Sequence, residues 1–186
     1  SNNFWIINFK KYEYWFPFNS YHIGRYRKIK SSVNNSRKET NILWVGRNDL
    51  NDYEKFIRRD QITHYQDLQI LHKMDNALSK YENCIYVKAP KHSNKSWLPT
   101  KTKNISLNKK IEYYINPLND ILLFDNLTSS LLFYAIKLNI KFLIFISTNN
   151  LECFTSKYQL FINDLINKNI LFNDIKEFEK QINYLL

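Results

Sequence analysis

A chain of 186 residues and 22.6 kDa, 44% hydrophobic and 16% aromatic, is long enough for one domain with a real core and too apolar to be a disordered tail. Its formal net charge of +10 and isoelectric point near 9.5 favour an anionic partner, without choosing among nucleic acid, phosphorylated small molecules and an anionic membrane face. Cys84, Cys153 and the four histidines are too scattered for metal-ligand spacing, so neither a metal nor a cofactor is expected and the two thiols read as buried and reduced.

Residues 1–40 read as an aromatic and basic amino-terminal arm or the remnant of a preceding domain. FWIINF (Phe4 to Phe9) suits a strand, Tyr12 to Phe18 a second extended piece, and RYRKIKSSVNNSRKET a solvated linker. The chain opens at Ser1 with no initiator methionine, which reads as a fragment or one processed half of something longer. No secretion signal of the basic-then-apolar kind is visible, and no run approaches the ~18 apolar residues of a membrane helix. A cytoplasmic setting, at most peripheral to an anionic inner-membrane surface, is expected.

From Asn41 to the carboxyl terminus the pattern is that of a second, α/β unit, residues 41–186. NILWVG is an apolar run closed by Gly46, the mark of a buried strand. Ile62, Tyr65, Leu68, Leu71, Met74, Leu78 and Tyr81, spaced by three and four, predict a helix with one apolar stripe. CIYVKAP predicts a strand stopped by Pro90, NISL a short third strand and ILLFD a fourth. Leu131 to Leu138 predicts a helix apolar almost all round, hence deeply buried, and FLIFIS a fifth strand. Phe154, Tyr158, Phe161 and Leu165 line another helix, ILF gives a last strand, and Ile175, Phe178, Ile182 and Leu185 line the final helix. Alternation of strand and helix throughout predicts a Rossmann-like layered α/β domain with a mainly parallel sheet.

Ligands of an open parallel sheet gather beyond the carboxyl ends of its strands. Three loops leave strands there with polar residues. Gly46-Arg47-Asn48-Asp49 follows the first strand, and Gly46 reads as easing a tight exit. Arg47 reaches either a ligand or only the surface. The second loop, KAPKHSNKSW, opens a stretch from Asn83 to Ile111 that contains no acid, while Lys88, Lys91, Lys95, Lys101 and Lys103 are present. Lys88 closes a strand, which delivers its ammonium to the ligand edge; His92 suits a phosphate or sugar oxygen, and Trp97 suits stacking on a ring. A solvated loop in a lysine-rich chain accounts for the same residues. The third loop, DNLTSS, puts Thr128, Ser129 and Ser130 where the first amides of a helix and its positive dipole end favour phosphate. One of those hydroxyls acting as an ordinary helix cap is the competing account. No G-x-G-x-x-G fingerprint occurs.

With those residues in place, the chain from Asn41 onward resembles the carboxyl-terminal part of the LIC12162-type surface-carbohydrate transferases, which look like GT-B glycosyltransferases. The likeness lies in the strand ending VGR before a long helix, in CIYVKAPKHSNKSW, in LLFDNLTSSLLFYAIKLNI and in LFINDLINKNILFND. Lys88, His92, Trp97, Ser129, Ser130 and Asn139 fall on positions of the family's pattern. Departures are Lys88 for the family's Arg, Ser96 for a Gly before Trp97, Lys141 for a Pro, and Tyr134 where a Glu is usual, an acid that in such enzymes often holds donor hydroxyls.

The resemblance implies a glycosyltransferase, or its donor-binding half, that uses a nucleotide-sugar donor and a saccharide or lipid-linked acceptor in surface-polysaccharide biosynthesis, without a metal. Lys88 and His92 would then offset charge on the leaving phosphate, with Thr128, Ser129 and Ser130 cradling it. The general base would come from a preceding domain; His22 is a free histidine in the arm and no more than that. A polyol-phosphate transferase with a CDP-linked donor, a non-catalytic degenerate transferase domain and a basic nucleic-acid-binding module remain alternatives. Specific nucleic-acid binding is not expected, because most aromatics fall at core spacings.

Overall fold

The apolar runs of the sequence become strands in a computed structural model, which describes residues 39–46, 61–88, 98–107, 111–127, 129–146 and 156–186. In chain order these are β1 (Ile42–Val45), α1 (Gln61–Leu78), β2 (Cys84–Lys88), β3 (Lys103–Ser106), a 3-10 turn (Ile111–Tyr113), β4 (Ile121–Phe124), α2 (Ser130–Lys137), β5 (Lys141–Phe145), α3 (Ser156–Asn167), β6 (Leu171–Phe172) and α4 (Ile175–Leu185). The six strands form one sheet in the order β3-β2-β1-β4-β5-β6, and every pairing is parallel. That order is the one of a doubly wound, Rossmann-like sheet. The expected "mainly parallel" sheet is thus wholly parallel among the described residues. The arm of residues 1–38 lies outside them, so the division at residue 40 rests on sequence.

Strand periodicity sends alternate residues to opposite faces. Ile42, Trp44, Cys84, Tyr86, Ile121, Leu123, Leu143 and Phe145 share a core with α1 and α4. Leu43, Val87, Leu122, Phe124, Phe142 and Ile144 share the other with α2 and α3. On α4, Phe178, Ile182 and Leu185 are buried at helical spacing. Burying each is worth about 1.5–3 kcal/mol. The ion pair of Lys80, in the turn after α1, with Glu179 on α4 (2.7 Å) leaves Lys80 half exposed. Such pairs contribute roughly 0–1 kcal/mol, so packing and not charge holds α4 in place.

Two helix ends show how a chain with two glycines makes sharp turns. Asn139 and Asn169 adopt φ of 52° and 50° just past α2 and α3. Ile140 N donates to Ala135 O while Asn139 N donates to Ile136 O; Ile170 N to Leu165 O and Asn169 N to Ile166 O repeat the arrangement. Both are Schellman closures with asparagine in the left-handed position that glycine usually takes. Each then delivers an isoleucine and a strand.

Strict alternation of strand and helix fails between β3 and β4. Among the described residues that crossover has only the 3-10 turn, and Asn116-Pro117 ends in a polar loop. Leu118 N donates to Asn116 Oδ1, and Asn116 N donates to the buried Asp120 Oδ2 at 2.7 Å. Asp120 Oδ1 also accepts from Asn41 N and Nδ2, which joins the starts of β1 and β4. Leu138, expected to be deeply buried with α2, is instead exposed, because the helix ends at Lys137 and the chain turns outward into its cap. No described helix is long and apolar enough to cross a membrane.

Asp75 on α1 is the strongest polar clamp. Only 2% exposed, its carboxylate accepts from the backbone amides of Thr100, Lys101 and Thr102 and from Thr100 Oγ1, just before β3. Burial by itself would raise its pKa, yet the donors of Thr102, Thr100 and Lys101 together outweigh that and hold it below the ordinary 3.8. A depressed folded pKa adds stability that is present above 3.8 and is lost as pH falls through the folded value. Asp75→Ala orphans several buried donors and is expected to cost about 3 kcal/mol in urea unfolding at neutral pH. Its stability should also fall less steeply than that of the wild type as pH drops below about 4; equal slopes would remove Asp75 from this role.

Candidate functional site

Parallel pairing brings the carboxyl ends of all six strands to one rim. Register pairs Val45 with Val87, Trp44 with Leu123 and Lys88 with Ser106. One residue further, Gly46 stands level with Lys88 on one side and Asp125 on the other. Strands are about 4.8 Å apart, so the ends of β2 and β4 are separated by about 10 Å across Gly46. The chain leaves β1 towards one side of the sheet and β4 towards the other. The gap between them is therefore the switch point, where a doubly wound sheet opens a crevice.

Gly46 sits at that switch point for a packing reason. Its φ is not positive, so the expected tight exit needing glycine's conformational freedom is not what it provides. A Cβ at this position would lie 2.5 Å from the Tyr86 hydroxyl and 2.7 Å from its ring carbon Cζ. Tyr86 is buried and stacks edge-on against Trp44, with centroids 5.0 Å apart. Gly46 N still donates to Val87 O at 2.9 Å, continuing the ladder to the rim.

The lysine-rich stretch is divided by the fold. Lys88 ends β2 at the carboxyl rim, whereas Lys101 and Lys103 stand at the start of β3, on the opposite edge beside the Asp75 clamp. Those two are removed from the basic cluster read in sequence. The side chains of Lys88 and Ser130, and all of Arg47, His92, Trp97 and Thr128, lie outside what the structure describes.

Ser129 sits at the N-cap of α2 with extended backbone (φ −65°, ψ 125°), and its hydroxyl makes no capping hydrogen bond. Its carbonyl accepts from Leu132 N at 3.0 Å. Asp174 at the start of α4 offers the contrast, accepting from both Lys176 N and Glu177 N. The competing account of the hydroxyl cluster as an ordinary cap therefore fails for Ser129.

The rim also holds a residue not singled out in sequence. Asp125 follows β4 and is fully buried, and its Oδ1 accepts from Asn126 Nδ2 at 2.9 Å. Its signal was an apolar run closing on an acid. The rim therefore also holds an acidic residue, about two strand spacings from Lys88. Tyr134, at the position where the resemblance expects a Glu, is 3% exposed in the core and serves packing. Cys84 is likewise interior, and burial pushes its thiol up to about 12, which makes it unreactive. No group of metal-ligating side chains occurs among the described residues.

The class this geometry defines is a layered α/β domain with a parallel, Rossmann-like sheet. No protein-family model matches the chain, and no curated protein or solved structure matches it at a significant level.

Gly46→Ala is expected to push against Tyr86 and cost about 1–3 kcal/mol, visible as a lower urea midpoint and an altered near-ultraviolet dichroism. Ser129→Ala should change stability by less than about 0.5 kcal/mol, whereas Asp174→Ala should cost about 1 kcal/mol. Equal losses would return Ser129 to capping duty.

Proposed function

We propose that the crevice at the switch point binds the phosphate part of a nucleotide-activated sugar, and that this chain is the donor-binding part of a GT-B-type glycosyltransferase of surface-polysaccharide biosynthesis. The observation that carries the reading is the convergence of Lys88, Gly46 and the N-terminus of α2 on one rim, with a hydroxyl at Ser129 that the helix does not use. In this reading Lys88 and His92 offset negative charge building on the leaving phosphate. Ser129, Ser130 and Thr128 donate to its oxygens, Trp97 stacks on a ring and Arg47 closes the near side. Asp125 holds the carboxamide of Asn126 through its hydrogen bond, which orients a neutral polar group at the same rim. The saccharide or lipid-linked acceptor and its general base belong to another domain.

Burial of Tyr134 supports a second, narrower reading. A position that the resemblance gives to donor hydroxyls is spent on the core, so binding without transfer is the alternative, and turnover assays on the bound donor separate the two.

A thermal-shift panel of CMP-, CDP-, UDP- and GDP-sugars tests the proposal. The preferred donor at a hundredfold excess over its dissociation constant should stabilise the fold by about 2.7 kcal/mol, a rise of roughly 5–10 °C. Lys88→Ala should abolish the shift, and oligonucleotide competitor should leave it unchanged. Steeply salt-dependent oligonucleotide binding with no response to any nucleotide sugar would instead identify a nucleic-acid-binding module.

A further inference from the structure

We infer that Asn126, oriented by the buried Asp125, accepts a hydrogen bond from a hydroxyl of the donor, on its ribose or on its transferred sugar. The inference rests on the donor-binding reading given above and assigns recognition of the part that phosphate contacts leave unread. Strand register carries Asp125 level with Gly46, at the carboxyl end of β4 and so at the switch point. It is 0% exposed, and a buried acid is costly unless its oxygens meet donors. Asp125 Oδ1 accepts from Asn126 Nδ2 at 2.9 Å, and Asn126 is half-buried. At the amino edge, Asp75 and Asp120 hold backbone amides that begin strands. At the carboxyl edge, Asp125 holds a side-chain amide next to the entry of α2.

That hydrogen bond decides which chemistry the carboxamide reads. A carboxamide is planar, with its donors on nitrogen and its acceptor lone pairs on oxygen. With Nδ2 drawn to Asp125, Oδ1 is the end turned away from the acid, and it accepts. A phosphate oxygen carries no proton at neutral pH and would meet another acceptor there. Hydroxyls donate. Both sugars of a nucleotide sugar are bonded directly to its phosphates, whereas the base is one unit further away. Asn126 precedes Ser129, the N-cap of α2, by only three residues, so a phosphate held at that helix end brings a sugar within its reach. A side chain already held from the interior loses little freedom when the ligand arrives. Asp125 is thus a positioning residue, and Asn126 is the one that meets the ligand.

Calorimetric titration of the wild type and Asn126→Ala tests this. The probes are the nucleotide sugar with the largest response in the thermal-shift panel, its 2′- and 3′-deoxyribose analogues, and the parent nucleotide without the sugar. Asn126→Ala should bind the complete ligand about three- to tenfold more weakly, the range of one neutral hydrogen bond. It should bind the probe that lacks the recognised hydroxyl as well as the wild type does, which also shows that the fold and the phosphate contacts persist. Equal binding of a deoxyribose analogue assigns the ribose, and equal binding of the parent nucleotide assigns the sugar. Unchanged affinity for the complete ligand, uniform weakening towards all four probes, or a loss that follows the identity of the base would each overturn the inference while leaving the donor-binding reading intact. A wild type that binds none of the probes removes that reading, and this inference with it.

Discussion

A parallel sheet obliges every connection to carry the chain from a strand's carboxyl end back to the amino edge, and this one requirement sorts the polar residues of the molecule into two populations. At the amino edge acids serve structure. Asp75 gathers three successive amides ahead of β3, Asp120 joins the starts of β1 and β4, and Asn83 Nδ2 donates to Thr40 O beside them. These groups fix where strands begin, and their hydrogen bonds are satisfied internally. At the carboxyl edge Lys88, Gly46, Asp125 and Ser129 stand where strands end, and Ser129 leaves its hydroxyl out of the helix cap. The asymmetry directs a functional reading to one edge before any chemistry is considered.

Most of the architecture was legible because the relevant signals are local. Short apolar runs such as ILWV and ILLF have no room to be helices, and the stripe Leu71, Met74, Leu78 has the period of one. The closures at Asn139 and Asn169 were not read from the sequence, although in a glycine-poor chain asparagine is the next residue able to occupy the left-handed region. What escaped notice depends on distant pairs. Nothing near Asp75 announces that Thr100 to Thr102 will fold onto it, 25 to 27 positions later. That clamp is also what carries Lys101 and Lys103 to the far edge, so a basic cluster continuous in sequence is divided in space. Gly46 misled for a related reason, since its constraint is the Tyr86 ring from a neighbouring strand and not its own backbone.

The electrostatics of the rim follow from the same division. Seven lysines lie between Lys88 and Lys110 with no acid among them, yet only Lys88 is placed by the described strands at the carboxyl edge. Residues 1–38 hold eight Lys and Arg against one Glu, so much of the net charge belongs to the arm. The +10 of the whole chain is therefore a poor measure of the potential in the crevice. Among the described residues the rim carries Lys88, the dipole end of a short helix and the buried acid Asp125.

Rim and core are also mechanically joined. The Tyr86 hydroxyl lies against the Gly46 backbone, and the Tyr86 ring packs edge-on upon Trp44 in the centre of the sheet. Close-packed aromatic cores do not deform smoothly, so a shift of Gly46 towards a ligand would have to move Tyr86 and with it Trp44. The position of Gly46 is thus fixed by the packing of β1 against β2.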